Sequence, residues 1–436
     1  MNNNDNNNDN NKDKSNQIKQ SNNTAENTIV LAFSGGLDTS FCLHQMKQAG
    51  HQVHTVFVNS GGLSEAQVEE IATRAMILGS DCHQTIDASQ EIWQEFVVPL
   101  IWSRAKMRGD DPLLCSDRYV IVKLCLAYCE QIGTTHIAHG CTAMGNDQFR
   151  FDQTIHSLGA YQIHAPIRDL QASISGNIRD HELAVLAEAG FETASQHQQY
   201  SINENLLGVT ISGSEIDQFQ APQAGSACWV KPRAEWPEVP LNLTIGFDQG
   251  EAVSLNGEAM AGSELLAQLN QDLAAYGVGR HIYTGDVSIG LKGRIVFECP
   301  GIDALMAAHK ALEDVVNSKL QNQYRYQMSE RWAELVYQGF FYEPHKKDIE
   351  AYLASSQSHV TGEVQITSQG GDLLATAVNS PWIIQDSEAV YAQSCSWSPE
   401  QAVGYIQLTG QSSVMANRVR RKAQVRRKTQ LRRKAS

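Results

Sequence analysis

Residues Thr28 to Ser40 read TIVLAFSGGLDTS, a short apolar strand running into a glycine-rich turn that carries an acidic residue and hydroxyls. Val30, Leu31 and Phe33 suit a buried parallel strand, while Gly35 and Gly36 let the backbone turn tightly and aim successive N–H groups at one point. A helix opening near Asp38 and continuing through Phe41, Leu43 and Met46 adds the positive end of its dipole, and Ser34, Thr39 and Ser40 add hydroxyl donors. Together these features make a site for an anion, and for phosphate above others. A Walker-type loop is excluded, because it needs a Lys ahead of its Ser/Thr and none stands here. A bare pair of glycines also joins ordinary strands to helices, so the signal lies in the whole string SGGLDTS.

Beyond this stretch, strand and helix alternate. A second strand is expected at Gln52 to Val58, a helix from Ser64 to about Leu78 with Ser64 as its N-cap, and a third strand at His83 to Ile86. Gln90 to Met107 and Arg118 to Ile132 read as helices. Thr135 to Ala138 reads as a strand feeding the polar loop His139 to Phe151, HGCTAMGNDQFRF. Gln162 to Ala165 is a further strand and Asp180 to Ala189 a helix. This alternation predicts an α/β fold with a doubly wound, mostly parallel sheet, whose ligands sit beyond the carboxyl ends of the strands. After about Gln198 the texture becomes α+β, with strands at Leu241 to Phe247 and Ala252 to Leu255, and a helix from Ser263 to Tyr276. A strand pair near Val287 to Phe297 and one long helix from Asp303 to about Tyr326 follow. The expected organisation is an Asn-rich disordered segment at 1–27, a nucleotide-binding domain at 28–199, a second α+β domain at 200–410 and a basic tail at 411–436.

The chain has 436 residues, 42% of them hydrophobic, enough for two or three domains of ~150 residues. No run approaches the ~18 apolar residues of a membrane span, and the Asn-rich start lacks the apolar core of a signal peptide, so a cytoplasmic location is expected. The nine cysteines are scattered without a C-x-x-C pair, which argues against a disulfide framework or a zinc site. Formal net charge is −14, yet ten Lys/Arg and no acid lie from Arg418 onward, which leaves −24 for the rest. Such a body does not favour nucleic acid across its general surface.

Five motifs in order, LAFSGGLDTS (Leu31 to Ser40), AHGCTAMGNDQFRF (Ala138 to Phe151), YSINENLLG (Tyr200 to Gly208), YGVGR (Tyr276 to Arg280) and AELVYQGFFYEP (Ala333 to Pro344), resemble argininosuccinate synthase. The resemblance covers roughly Ile29 to Leu408. It implies an adenine nucleotide alpha hydrolase-like fold and a homotetramer, with a C-terminal helix that helps the subunits assemble. It also implies a ligase of the N-type ATP pyrophosphatase kind: citrulline's ureido oxygen attacks the α-phosphate of ATP, pyrophosphate leaves, and the aspartate amine displaces AMP. Carried over by residue, Ala32, Phe33, Ser34, Gly35, Gly36, Leu37, Asp38, Thr39 and Ser40 form the ATP site, with Gly140 beside the nucleotide. Thr142, Asn146 and Asp147 match the aspartate positions, and Mg2+ is implied as the bridge between phosphates. Asp38, Asp147 and Arg150 are the candidate catalytic residues. Arg150, Ser116, Ser201 and Thr210 keep the expected or a similar residue in the citrulline pocket.

That pocket also departs from the family. The family's Tyr falls on Pro112, a Ser on Asp117, an acid on Gly285 and a second Tyr on Phe297, while a Gly-Lys in the polar loop is Ala143-Met144. Asp117 or Asp286 is the candidate to hold the citrulline ammonium in place of the missing acid. The losses predict weakened citrulline recognition, at ~1–3 kcal/mol for each charged or buried hydrogen bond. They leave open a paralogous ligase that joins aspartate to another ureido or amide acceptor, and a catalytically weak regulatory protein of the same fold. In the tail, RRK recurs at Arg420, Arg426 and Arg432, with Val419, Val425 and Leu431 each just ahead. A six-residue period does not return to one helical face. The segment reads as a solvated, disordered basic extension, the alternatives being docking on a neighbouring acidic subunit or capture of nucleic acid or anionic membrane.

Overall fold

The computed structural model describes residues 27–143, 145–174, 176–191, 199–287, 290–391 and 393–435. The expected disorder of residues 1–26 and the departure at Met144 therefore lie outside the described residues. The chain forms two compact units, one ending at Ile383 and one spanning Ile384–Ser436.

Thr28–Ala32 (β1) is the centre of a five-stranded parallel sheet of order β3-β2-β1-β4-β5, with β2 at Gln52–Asn59, β3 at Cys82–Asp87, β4 at His136–Ala138 and β5 at Gln162–His164. Alternation along β1 shows why it is central. Ile29, Leu31 and Phe33 enter one buried cluster with Phe41, Leu43, Ile167 and Leu186, whereas Val30 and Ala32 enter another with Val56, Val58, Val120 and Cys125. A strand apolar on both sides is stable only when helices cover both faces, as the doubly wound arrangement provides. The winding reverses at β1, which pairs with β2 on one side and β4 on the other. The crevice at a parallel sheet's ligand-binding edge lies there.

The helix expected after Ser64 is present as Glu65–Ile77, capped reciprocally by Ser64 and Gln67. Other boundaries move. The helix expected to reach Met107 stops at Ser103, where Arg104 takes a left-handed φ of 52° and ends it. The loop expected to run to Phe151 stops at Gly145, and Asn146–Leu158 is helical, with acidic Asp147 in its first turn. The single long helix expected from Asp303 is two, Pro300–Val316 and Lys319–Tyr337, because Asn317 is extended and Ser318 opens a new capping box with Gln321. A hairpin of Ser201–Asn205 (β6) and Gly208–Ser212 (β7), Leu241–Asp248 (β8), Glu251–Leu255 (β9) and Glu258–Ala259 (β10) lead into Arg280–Asp286 (β11) and Lys292–Glu298 (β12). The strand pair expected near Val287 thus begins seven residues earlier, at Arg280, and Val287 lies in its turn. With Gly362–Gln369 (β13) and Asp372–Asn379 (β14) these strands build two further sheets, β10-β9-β8-β13-β14 and β11-β12-β7-β6, whose described pairings are antiparallel.

In the second unit the basic segment expected to be disordered is the continuation of a helix over Pro399–Ala435. Residues such as Ala416, Arg, Lys and Gln are strong helix formers, and neither Gly nor Pro interrupts 411–434.

Candidate active site

The chain leaves β1 at Ala32 and turns through Ser34, Gly35 and Gly36 into the Leu37–Gln48 helix. Gly35 has a φ of +73°, which L side chains rarely adopt, and a Cβ there would also meet Ile71 at 3.0 Å. The helix opens at Gly36 with no side-chain cap, so its first N–H groups remain available to an anion at the mouth of the turn. Ser34 Oγ and Thr39 Oγ1 lie 3.2 Å apart, and Ser40 Oγ donates to the Gly36 carbonyl at 2.7 Å. Arg74, which sequence reasoning did not single out, donates to the Gly35 carbonyl at 3.0 Å from the helix after β2.

The second loop starts at the end of β4, next to β1, and touches the first. A Cβ on Gly140 would lie 3.2 Å from both Asp38 Cβ and Thr39 Cγ2, so any larger residue would push the two loops apart. Thr142 Oγ1 is 3.9 Å from where a Cβ on Gly145 would sit, beside the start of the Asn146–Leu158 helix. The sequence-derived ATP and aspartate positions are therefore neighbours at the β1–β4 crevice.

Asp38 has a partner that its sequence neighbourhood does not announce. Glu182, on the Ile178–Glu188 helix and 2% exposed, hydrogen-bonds the Asp38 carboxyl. Burial raises the Asp38 pKa, and the bond to Glu182 and the charge of Arg179 offset part of that rise. Burial, then the Asp38 charge, pushes Glu182 up to about 8. The two carboxyls thus share a proton around neutral pH, since two adjacent carboxylates in a low dielectric cannot both ionise cheaply. Glu182 Oε1 is buried without a hydrogen-bond partner.

Asp147 is held between two guanidiniums. Arg150 Nη1 donates to Oδ1 at 2.7 Å and Arg118 Nε to Oδ2 at 3.2 Å. Burial would raise the Asp147 pKa, but the two cations hold it below the usual carboxylate range. Arg150 also donates to the Tyr337 carbonyl at 2.9 Å, and the Tyr337 hydroxyl accepts from Asn146 Nδ2 at 3.2 Å and donates to the Asp286 carbonyl at 3.2 Å. Neither Arg118 nor Tyr337 stands out from the sequence as a site residue, yet both contact the Asn146-Asp147 turn. The signal for Tyr337 was present in the motif AELVYQGFFYEP, whereas Arg118 at a helix start looks like any surface charge. A cleft of about 540 Å³ opens beside this turn, with Asn146 and Phe149 on one wall and Gln338 and Phe340 on the other.

The remaining expected pocket residues divide. Ser201, Asn203 and Thr210 share one face of the β6–β7 hairpin, and Arg118 Nη2 donates to Asn203 Oδ1 at 3.3 Å, which ties that face to Asp147. Ser116 is 2% exposed and its hydroxyl donates to the Leu113 carbonyl. Asp117, also 2% exposed, is paired with Arg118 at 2.6 Å. The Asp286 carboxylate accepts from Arg108 at 2.6 Å and from Lys292, and those two bonds hold its pKa below the usual range. Both acids thus already have cationic partners. At Gly285 a Cβ would come within 2.5 Å of the Tyr283 hydroxyl, so the phenol fills the space that the family's acid would need.

Residues 28–189 match the model of the arginosuccinate synthase N-terminal HUP domain, and 200–416 that of the arginosuccinate synthase C-terminal domain. The chain is 50% identical over 393 residues to the argininosuccinate synthase of Xanthomonas campestris pv. campestris, covering 90% of this chain and 99% of that one. It is 34% identical to that of Methanocaldococcus jannaschii, over 91% of this chain and all of the relative (100%), and 31% identical to that of Bacillus subtilis, over 92% and 98%. Phosphate-type loop, carboxylate-bearing second loop and whole-length likeness agree, and the chain belongs to the argininosuccinate synthase family.

Proposed function

We propose that the β1–β4 crevice holds ATP on Ala32–Ser40 and Gly140, and aspartate on Thr142, Asn146 and Asp147. As a member of its family the chain is an ATP-dependent ligase for citrulline and aspartate, and neither another acceptor nor a merely regulatory role is favoured. The observation that carries the residue assignment is the packing of Gly140 against Asp38 and Thr39 at 3.2 Å, which sets the two loops side by side.

In this reading the N–H groups of the glycine turn and the Ser34, Thr39 and Ser40 hydroxyls hold the β and γ phosphates. The ureido oxygen attacks the α-phosphate, and pyrophosphate leaves into that cradle. Asn146 and Thr142 bind an aspartate carboxylate, and Asp147 steers the ammonium while Arg118 and Arg150 keep Asp147 ionised. Ser201 and Thr210 take the amino-acid end of citrulline, with Tyr283 and Asp286 beside Gly285, where the family's acid is changed. Asp38, Glu182 and the loop hydroxyls are hard oxygen donors of the kind Mg2+ takes, and the cation would displace the proton that the two carboxyls share. Bound with the nucleotide, Mg2+ would offset charge on the departing pyrophosphate.

The test is product analysis with ATP, citrulline and aspartate. AMP and pyrophosphate in equal amounts, dependent on both amino acids, are expected; ADP and phosphate would overturn the cradle assignment.

A further inference from the structure

The family match ends at residue 416, and all ten charges of the basic segment lie beyond it, from Arg418 to Lys434. This segment is part of the Pro399–Ala435 helix, and every described side chain from 411 to 434 is exposed. No Asp or Glu follows Glu400. Arg418, Lys422 and Arg426 stand four residues apart, a spacing that places like charges against one another and weakens an isolated helix. A helix so charged gains from an anion outside it.

The geometry of the charge selects the kind of anion. At 3.6 residues per turn the three residues of one RRK cluster already span about 200° around the axis, and successive clusters turn by about 120° and advance ~9 Å, so the cations ring the helix on all sides. Val419, Val425 and Leu431 follow the same rotation and are 66%, 64% and 60% exposed, so no apolar stripe forms. A membrane-surface helix needs one apolar face and one basic face, which this pattern lacks. A flat acidic face on a second copy of the chain would meet only about a third of the cations, roughly one from each cluster. A duplex groove has phosphates on both walls, and the major groove of B-form DNA is wide enough for an α-helix.

We propose that the helical arm 418–434 binds duplex DNA through its phosphates, lying between the two backbones without reading sequence. Each cluster, spread over about 200° of the axis, then sets at least one cation toward a phosphate-bearing wall. The remainder of the chain, at −24, stays clear of the duplex and confines contact to the arm.

The experiment is fluorescence anisotropy of a labelled 24-base-pair DNA duplex of arbitrary sequence with the full chain at 50–300 mM NaCl. Three further chains are compared: one ending at Asn417, Gln424→Pro, and Gln424→Ala as its control. Six to ten phosphate contacts would lower affinity about 10³- to 10⁵-fold between 50 and 200 mM salt. The full chain and Gln424→Ala are expected to bind with that dependence, the truncated chain not to bind, and Gln424→Pro to bind at least tenfold more weakly at unchanged charge. Ligase activity per chain is expected to be the same in all four. Equal binding by Gln424→Pro would show a flexible polycation and overturn the groove reading. The proposal also falls if the full chain ignores DNA but sediments with vesicles of anionic phospholipid. It falls equally if the full chain ignores DNA and truncation only lowers the oligomer mass.

Discussion

Replacing Glu182 by Gln tests the shared proton at the phosphate loop. Glu182 is 2% exposed, and its pKa is raised from 4.5 to about 8. The folded chain therefore keeps a proton that the unfolded chain releases above pH 4.5. Its contribution to stability is full below that pH and is lost as pH rises through about 8. At 1.36 kcal/mol per unit, the loss approaches ~5 kcal/mol across that window and is about 3 kcal/mol by pH 7. Gln cannot ionise, and its amide N–H still donates to Asp38. Urea unfolding at pH 5, 6.5 and 8 should show the wild-type chain losing stability faster than Glu182→Gln as pH rises, so that the variant is the more stable at pH 8 by about 2–4 kcal/mol. Curves that stay parallel over the range would place the proton elsewhere and refute the shared pair.

Asp38→Ala should abolish pyrophosphate release while leaving the unfolding midpoint close to wild type, because the side chain is only partly buried and lies at the loop rather than in the core. Loss of the folded state would show Asp38 to be structural. Asp147→Asn should raise the KM for aspartate at least tenfold with little change for ATP, and destabilise by ~1–3 kcal/mol, as Arg118 and Arg150 lose their common carboxylate. An unchanged aspartate KM would remove Asp147 from the amine site. Tyr337→Phe deletes the hydroxyl between Asn146 and the Asp286 carbonyl and should lower kcat/KM for both amino acids by roughly 10- to 100-fold, at ~1–3 kcal/mol for a buried polar contact; an effect on ATP alone would be inconsistent with its placement. Gly285→Glu should fail to strengthen citrulline use, because the new Cβ meets the Tyr283 hydroxyl at 2.5 Å. A lower citrulline KM in that variant would mean that Tyr283 yields.

The sheet, the loop and the family are legible along the chain, because each of these is written in neighbouring residues. β1 is apolar on both faces, SGGLDTS carries its turn and its donors within seven positions, and Ser64 with Gln67 marks a helix start four residues long. Local readings failed where two signals compete over a few residues, as at Asn317-Ser318, where a cap splits one helical pattern into two, and at Asn146, where a polar run proved to be a helix start. Which groups meet follows instead from how distant segments pack. Glu182 reaches Asp38 from a helix more than a hundred residues on, Tyr337 spans Asn146 and Asp286, and Tyr283 fills the space above Gly285. Such contacts leave no periodicity, because burial and proton sharing depend on packing between distant segments and not on the order of residues along any one of them.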